Sequence, residues 1–240
     1  MDVYKEMAEY YDLIYGDEHD ADFYLLEARN ARGPVLEVAC GTGRILLKLL
    51  KEGIDISGLD LSKEMLDVLK SKAEKLNLKP EVYHANMVDF KLNKKFNLII
   101  VPYRSFLHLT AAEKEQALKN FYEHLNHGGR LIIHTYNVSE EEKKMIDDYH
   151  HFEHEELEKN GEKYSLDWFL NYKSGVGNYR IVLKIAGKEI KYEMTIKYIS
   201  SREMNEILKK AGFKNIKQYC DFDYTPYNDA CNEVLWFADR

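Results

Sequence analysis

Apolar runs that end in turn residues alternate with segments of helical periodicity over residues 34–136. Strands and helices that alternate in this way predict βαβ units, because each helix carries the chain back to begin another parallel strand. The predicted strands start at residue 35 and continue at residues 54–60, 81–85, 96–101 and 131–136. This part of the chain is therefore predicted to form a mostly parallel sheet.

Polar residues at fixed spacing mark where the intervening helices begin. Ser62 precedes apolar residues at helical spacing, and Thr110 with Glu113 forms a capping box. A second capping box, Ser200 with Glu203, predicts a helix that Gly212 ends. Two strands near residues 215–220 and 233–239 follow, and their closeness in sequence predicts an antiparallel hairpin at the sheet edge, which completes seven strands.

Residues 138–199 interrupt this pattern. Residues 139–158 are charged and are predicted to be helical, whereas apolar and polar residues then alternate with period two, which predicts a three-stranded antiparallel meander. The chain thus divides into a main domain, residues 1–137 and 200–240, and an inserted subdomain, residues 138–199. A parallel strand exits at its carboxyl edge, so we expect the insertion to form, with the amino-terminal segment, a lid over an acceptor. A dimerisation or stabilising module is the alternative.

Composition and charge exclude several classes of protein. A chain of 240 residues fits one large domain with an insertion, and its net charge of −7 with dispersed lysines and arginines argues against nucleic acid. No apolar run reaches membrane-spanning length, and the acidic amino terminus does not resemble a signal peptide. Three cysteines without metal-ligand spacing (Cys40, Cys220 and Cys231) predict a reduced, cytoplasmic protein.

A small-residue bend follows the first strand and indicates a nucleoside-binding site. Gly41 and Gly43 allow a ligand to approach the backbone closely, at the sheet edge where doubly wound folds bind cofactors. A dinucleotide motif would need a third glycine where Leu46 stands, and Glu37 would repel a pyrophosphate. S-adenosylmethionine, which carries a sulfonium and an ammonium but no phosphate, fits these residues better.

At these residues the chain resembles the class I S-adenosylmethionine-dependent methyltransferases, in particular the glycine and amino-sugar N-methyltransferases. The first motif of that family reads E/D-x-G-x-G-x-G, and this chain departs from it at Ala39. The resemblance extends over residues 11–136 and hardly covers the insertion. It implies an α/β, Rossmann-like fold whose seven-stranded sheet has a reversed last strand, with S-adenosylmethionine as the cofactor and a small molecule as the methyl acceptor.

The resemblance also implies roles for individual residues in the cofactor site. Asp60 would bind the two ribose hydroxyls, Leu61 would contact the adenine, and Asn86 would accept a hydrogen bond from the adenine amino group. The remaining candidates for cofactor binding are Tyr11, Glu37, Ala39, Gly41, Gly43, Met87 and Pro102.

Tyrosines in residues 10–17 are candidates for the acceptor side of the site. This segment resembles the mobile cover of small-molecule N-methyltransferases, so Tyr11 or Tyr15 would bind the methionyl carboxylate or face the acceptor. An amphipathic helix with snorkelling tyrosines is the alternative. Arg29, Arg32 and Arg44 are other candidates for the carboxylate.

Histidines supply one catalytic candidate and one rejected metal site. His108 follows the fourth strand and would either accept a proton or anchor its loop, and we favour the anchor. His150 and His154 would lie one helical turn apart, but no third ligand is placed, so a solvated charged face is preferred and no metal is predicted.

The acceptor class follows from weaker features. The sequence Thr135-Tyr136-Asn137 lacks the arginine that glycine-type relatives place there, and eighteen tyrosines suit an aromatic pocket. A small-molecule amine is the first hypothesis, a hydroxylated metabolite the second and a protein amino terminus the third. A non-catalytic cofactor-binding module and a nicotinamide-dependent oxidoreductase are the alternatives from other classes, and the oligomeric state is left open.

Overall fold

The computed structural model describes residues 7–16, 20–159 and 161–240, and these residues contain two β-sheets. The strands of the larger sheet are β1 (Val35–Val38), β2 (Ile56–Asp60), β3 (Glu81–His84), β4 (Phe96–Val101), β5 (Leu125–Tyr136), β10 (Lys214–Tyr219) and β11 (Glu233–Asp239). Their order is β10-β11-β5-β4-β1-β2-β3, and β11 runs antiparallel to both of its neighbours. The predicted seven-stranded sheet with a reversed last strand is confirmed.

Six α-helices among the described residues connect or flank these strands. They are α1 (Tyr11–Ile14), α2 (Ala21–Ala31), α3 (Arg44–Lys51), α4 (Lys63–Lys75), α5 (Ala111–His124) and α6 (Ser201–Lys210). The predicted caps are present: the Ser62 hydroxyl accepts the N–H of Met65, and both capping boxes form at the starts of α5 and α6.

Apolar side chains fill both faces of the central strands, which explains why their sequences are continuous apolar runs. On one face Leu36 and Val38 pack in a cluster that includes Phe121 of α5. On the other face Val35 packs in a cluster that includes Tyr24 of α2. The polar ends of the strands are left at the carboxyl edge, where α3 and α4 begin.

The insertion differs from its prediction. The predicted helix over residues 139–158 is wrong: that stretch contains a 3-10 turn (Glu142–Lys144) and most of a strand, β6 (His150–Lys159). The sheet of the insertion therefore has four antiparallel strands rather than three. After β6 come β7 (Glu162–Lys173), β8 (Val176–Ile185) and β9 (Lys188–Lys197). Pairing with the otherwise open edge of β7 overrides the local preference of a charged segment.

Two smaller expectations are also wrong. The fifth strand begins at Leu125, and its pairing with β4 shifts register between Phe96 and Leu98, so the glycines at 128 and 129 lie within the strand rather than before it. The expectation that all three cysteines are reduced is the second. The loop between β10 and β11 folds back on itself and brings Cys220 and Cys231 together as a disulfide, with Cα atoms 5.2 Å apart. Of the three cysteines only Cys40 is free, and it is buried.

The amino-terminal segment packs against the four-stranded sheet. The Tyr164 hydroxyl donates to the carbonyl of Leu13 at 3.2 Å, and Met7 and Tyr15 are buried in the same cluster as Leu166. None of the helices among the described residues is long and apolar enough to cross a membrane. Two parts of the predictions lie outside the described residues. They are Asp17 of the predicted amino-terminal segment and residues 1–6 of the predicted main domain.

Candidate active site

The bend after β1 has an unusual backbone. Ala39, Gly41 and Gly43 all have positive φ, at 58°, 52° and 83°, and Gly43 is the N-cap of α3. A Cβ on Gly41 would meet no atom within 4 Å, because this residue lines an open crevice. Ala39, which stands where the family motif has glycine, adopts the left-handed conformation at a cost of roughly 1–2 kcal/mol.

Asp60 joins the end of β2 to this bend. Its Oδ2 accepts the N–H of Gly41 at 2.8 Å, and its Oδ1 accepts the N–H of Ser62 at 2.8 Å. The carboxylate is thereby held at the carboxyl edge of the sheet, between the bend and the start of α4.

The crevice above this edge has a volume of about 600 Å³. It runs from the bend across the ends of β2 and β3 to β9 of the inserted sheet. Most of the predicted site residues line it together: Tyr11, Ala39, Gly41, Asp60, Leu61, Asn86, Met87 and His108. The side chain of Leu61 is exposed there, as are a few other large apolar side chains elsewhere in the described residues.

Three predicted residues lie behind this wall rather than on it. Gly43 packs against Leu69, and the carbonyl of Pro102 accepts hydrogen bonds from Ser105. Glu37 is buried, and its Oε2 has no hydrogen-bond partner among the described residues. Burial raises the pKa of Glu37 well above its usual range, against the opposing charge of Arg44.

The amino-terminal segment is tied down over the bend by one carboxylate. Asp12 accepts a hydrogen bond from the Thr42 hydroxyl at 2.6 Å and one from the Lys72 ammonium at 2.6 Å. Thr42 belongs to the bend and Lys72 to α4, so this contact places Tyr11 beside the crevice.

A second cavity, of about 300 Å³, adjoins the crevice. Four residues line both spaces: Tyr11, Ser105, His108 and Met194. Its other walls are mainly aromatic, and the rings come from the amino-terminal segment, the loop after β4, β5 and the lid: Tyr15, Tyr103, Tyr136, Phe152, Trp168, Tyr179, Tyr192 and Tyr198. The ring of Tyr15 lies 4.7 Å from that of Tyr11 and 5.3 Å from that of Tyr103.

Glu142 organises one side of this second cavity. Its carboxylate accepts hydrogen bonds from the hydroxyls of Tyr136 and Tyr179, each at 3.0 Å. Burial, aided by the carboxylate, raises the pKa of both tyrosines, so both hydroxyls remain protonated donors at neutral pH. Glu142 lies in the segment that the sequence predicted to be a charged helix, so sequence analysis missed it.

Arg104 lies in the wall between the second cavity and β11. Its guanidinium pairs with Glu233 and stacks 4.2 Å from the ring centre of Tyr136. Burial would raise the pKa of Glu233, but the hydrogen bond from His134 and the charges of His134 and Arg104 lower it to about 2. Tyr103 and Arg104 both have positive φ, the kind of backbone strain that concentrates at functional sites. No sequence pattern predicts this pairing, because Arg104 and Glu233 are far apart along the chain.

His108 is fixed in one tautomer. Its Nδ1 lies 3.0 Å from the carbonyl oxygen of Thr195, which can only accept, so Nδ1 carries the proton and Nε2 carries a lone pair in the neutral ring. Burial first, and then the charges of Lys197 and Lys114, lower the pKa of His108. The imidazole is therefore neutral at pH 7, and its contact with β9 holds the lid on the loop after β4.

The three arginines considered for a carboxylate ligand line neither cavity. Arg29 pairs with Glu52 at the surface, Arg32 ends α2 with a positive φ, and Arg44 forms a two-pronged pair with Asp20. Arg44 also lies 5.3 Å from the ring centre of Tyr103, so it supports a wall residue from behind.

The predicted helical pair of His150 and His154 is wrong because β6 is a strand. His154 instead lies 2.7 Å and His151 3.2 Å from Asp167, on the exposed part of the lid sheet. Their ligand atoms lie within 4.8 Å of one another, as in a metal site, but Lys184 also pairs with Asp167. None of these residues lines either of the two adjoining cavities.

Comparison with known proteins agrees with this geometry. Residues 35–129 match the family model of a methyltransferase domain. A putative methyltransferase of Geobacillus sp. (strain WCH70) is 26% identical over 86% of this chain and 84% of its own length. The dTDP-3-amino-3,4,6-trideoxy-alpha-D-glucopyranose N,N-dimethyltransferase of Streptomyces venezuelae is 33% identical over 52% of this chain, which spans about half (55%) of that relative.

Solved structures share the whole fold. An S-adenosylmethionine-dependent methyltransferase from Clostridium acetobutylicum superposes with a TM-score of 0.82, at 19% identity and 99% coverage of both chains. An S-adenosylmethionine-bound amino pentose methyltransferase from Micromonospora echinaspora superposes with a TM-score of 0.74, at 19% identity and 96% coverage of both chains.

The fold and the matched domain confirm the predicted resemblance to the class I S-adenosylmethionine-dependent methyltransferases, and residues 35–129 form a methyltransferase domain. The chain is similar to the amino-sugar N-methyltransferases, and a structural neighbour with bound S-adenosylmethionine supports the predicted cofactor.

Proposed function

We propose that the protein transfers the methyl group of S-adenosylmethionine to the nitrogen of a small-molecule amine that binds in the second cavity. The observation that carries this proposal is the shared wall between the two cavities. Tyr11, Ser105, His108 and Met194 line both, so a cofactor in the crevice and an acceptor in the second cavity would meet there.

In this proposal the crevice residues bind the parts of the cofactor. Asp60 accepts hydrogen bonds from the ribose hydroxyls, and Leu61 and Met87 contact the adenine. The amide oxygen of Asn86 already accepts the N–H of Val88 at 3.0 Å, and its second lone pair is available for the adenine amino group. The bend lets the cofactor approach the backbone, because Gly41 lines the crevice with no side chain of its own.

The chemistry needs alignment more than acid or base. The nitrogen lone pair attacks the methyl carbon in line, the carbon–sulfur bond breaks, and its electron pair stays on sulfur in S-adenosylhomocysteine. Holding the two reactants in this geometry supplies much of the acceleration. Positive charge moves from sulfur to nitrogen, and aromatic faces with the Glu142 carboxylate stabilise that charge in the transition state.

In this proposal the inserted sheet and the amino-terminal segment together form much of the acceptor wall. Residues 138–199 supply Trp168, Tyr179 and Tyr198 to the acceptor wall, and the amino-terminal segment supplies Tyr11 and Tyr15. We assign His108 chiefly the role of anchoring the loop after β4 to β9, because its hydrogen bond to Thr195 directly forms this contact. A cytoplasmic location remains part of the proposal.

A hydroxylated metabolite is the second candidate acceptor, and one observation favours it. The neutral ring of His108 has its lone pair on Nε2, and a hydroxyl acceptor must lose a proton to a base as it is methylated. The amine remains the first candidate because the Streptomyces venezuelae relative is named an N,N-dimethyltransferase and because the acidic, aromatic wall suits a nitrogen that becomes positively charged.

Matched acceptors test the proposal. The protein is incubated with methyl-labelled S-adenosylmethionine and pairs of compounds that differ only at the acceptor atom, such as benzylamine and benzyl alcohol. We expect S-adenosylhomocysteine to form with amines and not with the matched alcohols. Turnover confined to alcohols would establish the second candidate, and tight cofactor binding without turnover on any acceptor class would indicate a non-catalytic module.

A further inference from the structure

The wall of the second cavity combines acidic and aromatic side chains with very little positive charge. Glu142 and Glu153 contribute carboxylates, and Arg104 is the single lysine or arginine among its described lining residues. The charge of Arg104 is already compensated, because its guanidinium pairs with Glu233. His108, the remaining titratable nitrogen, is neutral. The described wall is therefore negative overall.

The dimensions of this cavity limit what it can enclose. Its volume of about 300 Å³ lies at the lower end of the ~300–1,000 Å³ that small-molecule sites span. The larger crevice beside it is needed for the adenosyl group of the cofactor. A compact molecule fits the remaining space, whereas a sugar attached to a nucleoside diphosphate would require far more.

A phosphate group would also find no suitable ligands there. Proteins bind phosphate with arginine forks, lysines and the N–H groups at helix N-termini. The described wall offers one arginine, already paired, and two carboxylates that would repel an anion. Two relatives are named for amino sugars linked to dTDP, but each matches only about half of this chain (52% and 53%).

We infer that the acceptor is a compact amine that carries no phosphate, and that the aromatic rings and Glu142 of the second cavity stabilise the nitrogen cation that methylation forms. This inference rests on the proposed function and narrows it to one substrate class. The cation is the methylated product and, in part, the transition state. A quaternary ammonium ion therefore mimics what the site stabilises.

Binding probes separate the two substrate chemistries without any turnover. Calorimetric titrations use the full chain saturated with S-adenosylhomocysteine, with tetramethylammonium chloride as the cationic probe, sodium chloride as the ionic-strength control and dTDP as the anionic probe. We expect saturable binding of tetramethylammonium and none of dTDP. Saturable binding of dTDP, or heats for tetramethylammonium equal to those of sodium chloride, would overturn the inference.

A matched pair of variants locates the cation. Glu142→Gln removes the charge but keeps the shape, and we expect it to weaken tetramethylammonium binding about five-fold or more. Glu140→Gln is the control, because Glu140 lies on the same segment and pairs with Lys143 outside the cavity. Tyr179→Phe is a second test that keeps the ring: it should weaken the probe less than Glu142→Gln does. Equal affinity in wild type and Glu142→Gln would contradict the assignment.

Turnover assays then distinguish failure of this inference from failure of the proposed function. Methylation of dTDP-linked amino sugars, without methylation of free compact amines, would refute the inference and leave amine methylation intact. Absence of S-adenosylhomocysteine binding would refute the cofactor site on which both depend. We expect free amines to be methylated at a rate that dTDP does not inhibit.

Discussion

Asp60 accepts the N–H of Gly41 at 2.8 Å, and this hydrogen bond links the end of β2 to the bend after β1. The carboxylate therefore holds the bend in shape and also lines the crevice. Replacing it removes both the support and the proposed ribose contact.

Asp60→Ala is expected to weaken binding of S-adenosylhomocysteine by roughly ten-fold or more, because hydrogen bonds to a charged group contribute about 1.5–3 kcal/mol. Titration calorimetry measures the affinity directly. Asp67→Ala is the control, since Asp67 lies on the exposed face of α4 and pairs with Lys63. Unchanged affinity in Asp60→Ala would remove Asp60 from the cofactor site.

Two opposite substitutions in the bend, Gly41→Ala and Ala39→Gly, should change the free energy of unfolding in opposite directions. Gly41→Ala places a methyl group at a φ of 52°, where it should cost about 1 kcal/mol of the free energy of unfolding and project into the crevice. Ala39→Gly removes the left-handed strain of an alanine and should raise the free energy of unfolding by about 0.5 kcal/mol.

Denaturant titration and cofactor calorimetry check both changes. We expect Gly41→Ala to lose cofactor affinity and Ala39→Gly to keep it. A Gly41→Ala protein that binds S-adenosylhomocysteine as tightly as wild type would show that the cofactor does not approach this backbone.

His108→Ala should lower kcat by about ten-fold or less, because an anchored loop loses its contact with β9 but the reaction with an amine needs little base. A general base would cost ~10²–10⁴-fold. Because burial lowers the pKa of His108 below the ordinary 6.5, the neutral form of its ring predominates above that pH. The ratio of wild-type to variant kcat/KM should therefore remain constant from pH 8 to 6.5. A ratio that shrinks steadily as the pH rises would assign proton transfer to His108.

Glu233 should make the folded protein sensitive to acid. Its pKa is about 2 in the folded protein against an ordinary 4.5, so its contribution to stability is complete above pH 4.5 and is lost as the pH falls towards 2. A shift of this size corresponds to a pH-dependent contribution on the order of 3 kcal/mol.

Unfolding experiments at pH 6 and pH 3 compare wild type with Glu233→Gln. We expect the variant to be less stable at pH 6, where Arg104 loses its partner, and to approach wild type at pH 3. Glu158→Gln, at an exposed position, is the control. Parallel losses of stability in wild type and Glu233→Gln between the two pH values would contradict this role.

Sequence patterns predicted the main sheet well because its elements carry local signals. The apolar runs of β1, β2 and β4 are buried on both faces, and the capping boxes at Thr110 and Ser200 satisfy the first N–H groups of their own helices. Most of the predicted site residues line the crevice, since Gly41, Asp60 and Asn86 lie at or just after strand ends that meet the same edge.

The strand β6 and the residues Arg104, Glu142 and Glu233 were not predictable in the same way. β6 forms because β7 offers an unpaired edge, which overrides the charged character of its own residues. Glu142 approaches Tyr179, and Arg104 approaches Glu233, only after the lid and β11 have folded into place.

By itself the sequence determined the order of strands and helices, the bend with its glycines and the acid at the end of the second strand. These features depend on hydrophobic periodicity and on backbone conformations that act within a few residues. Only the tertiary structure decided which rings and carboxylates surround the second cavity. Those contacts join segments as distant as Tyr15 and Trp168, and their energies arise from burial and charge pairing that exist only in the folded chain.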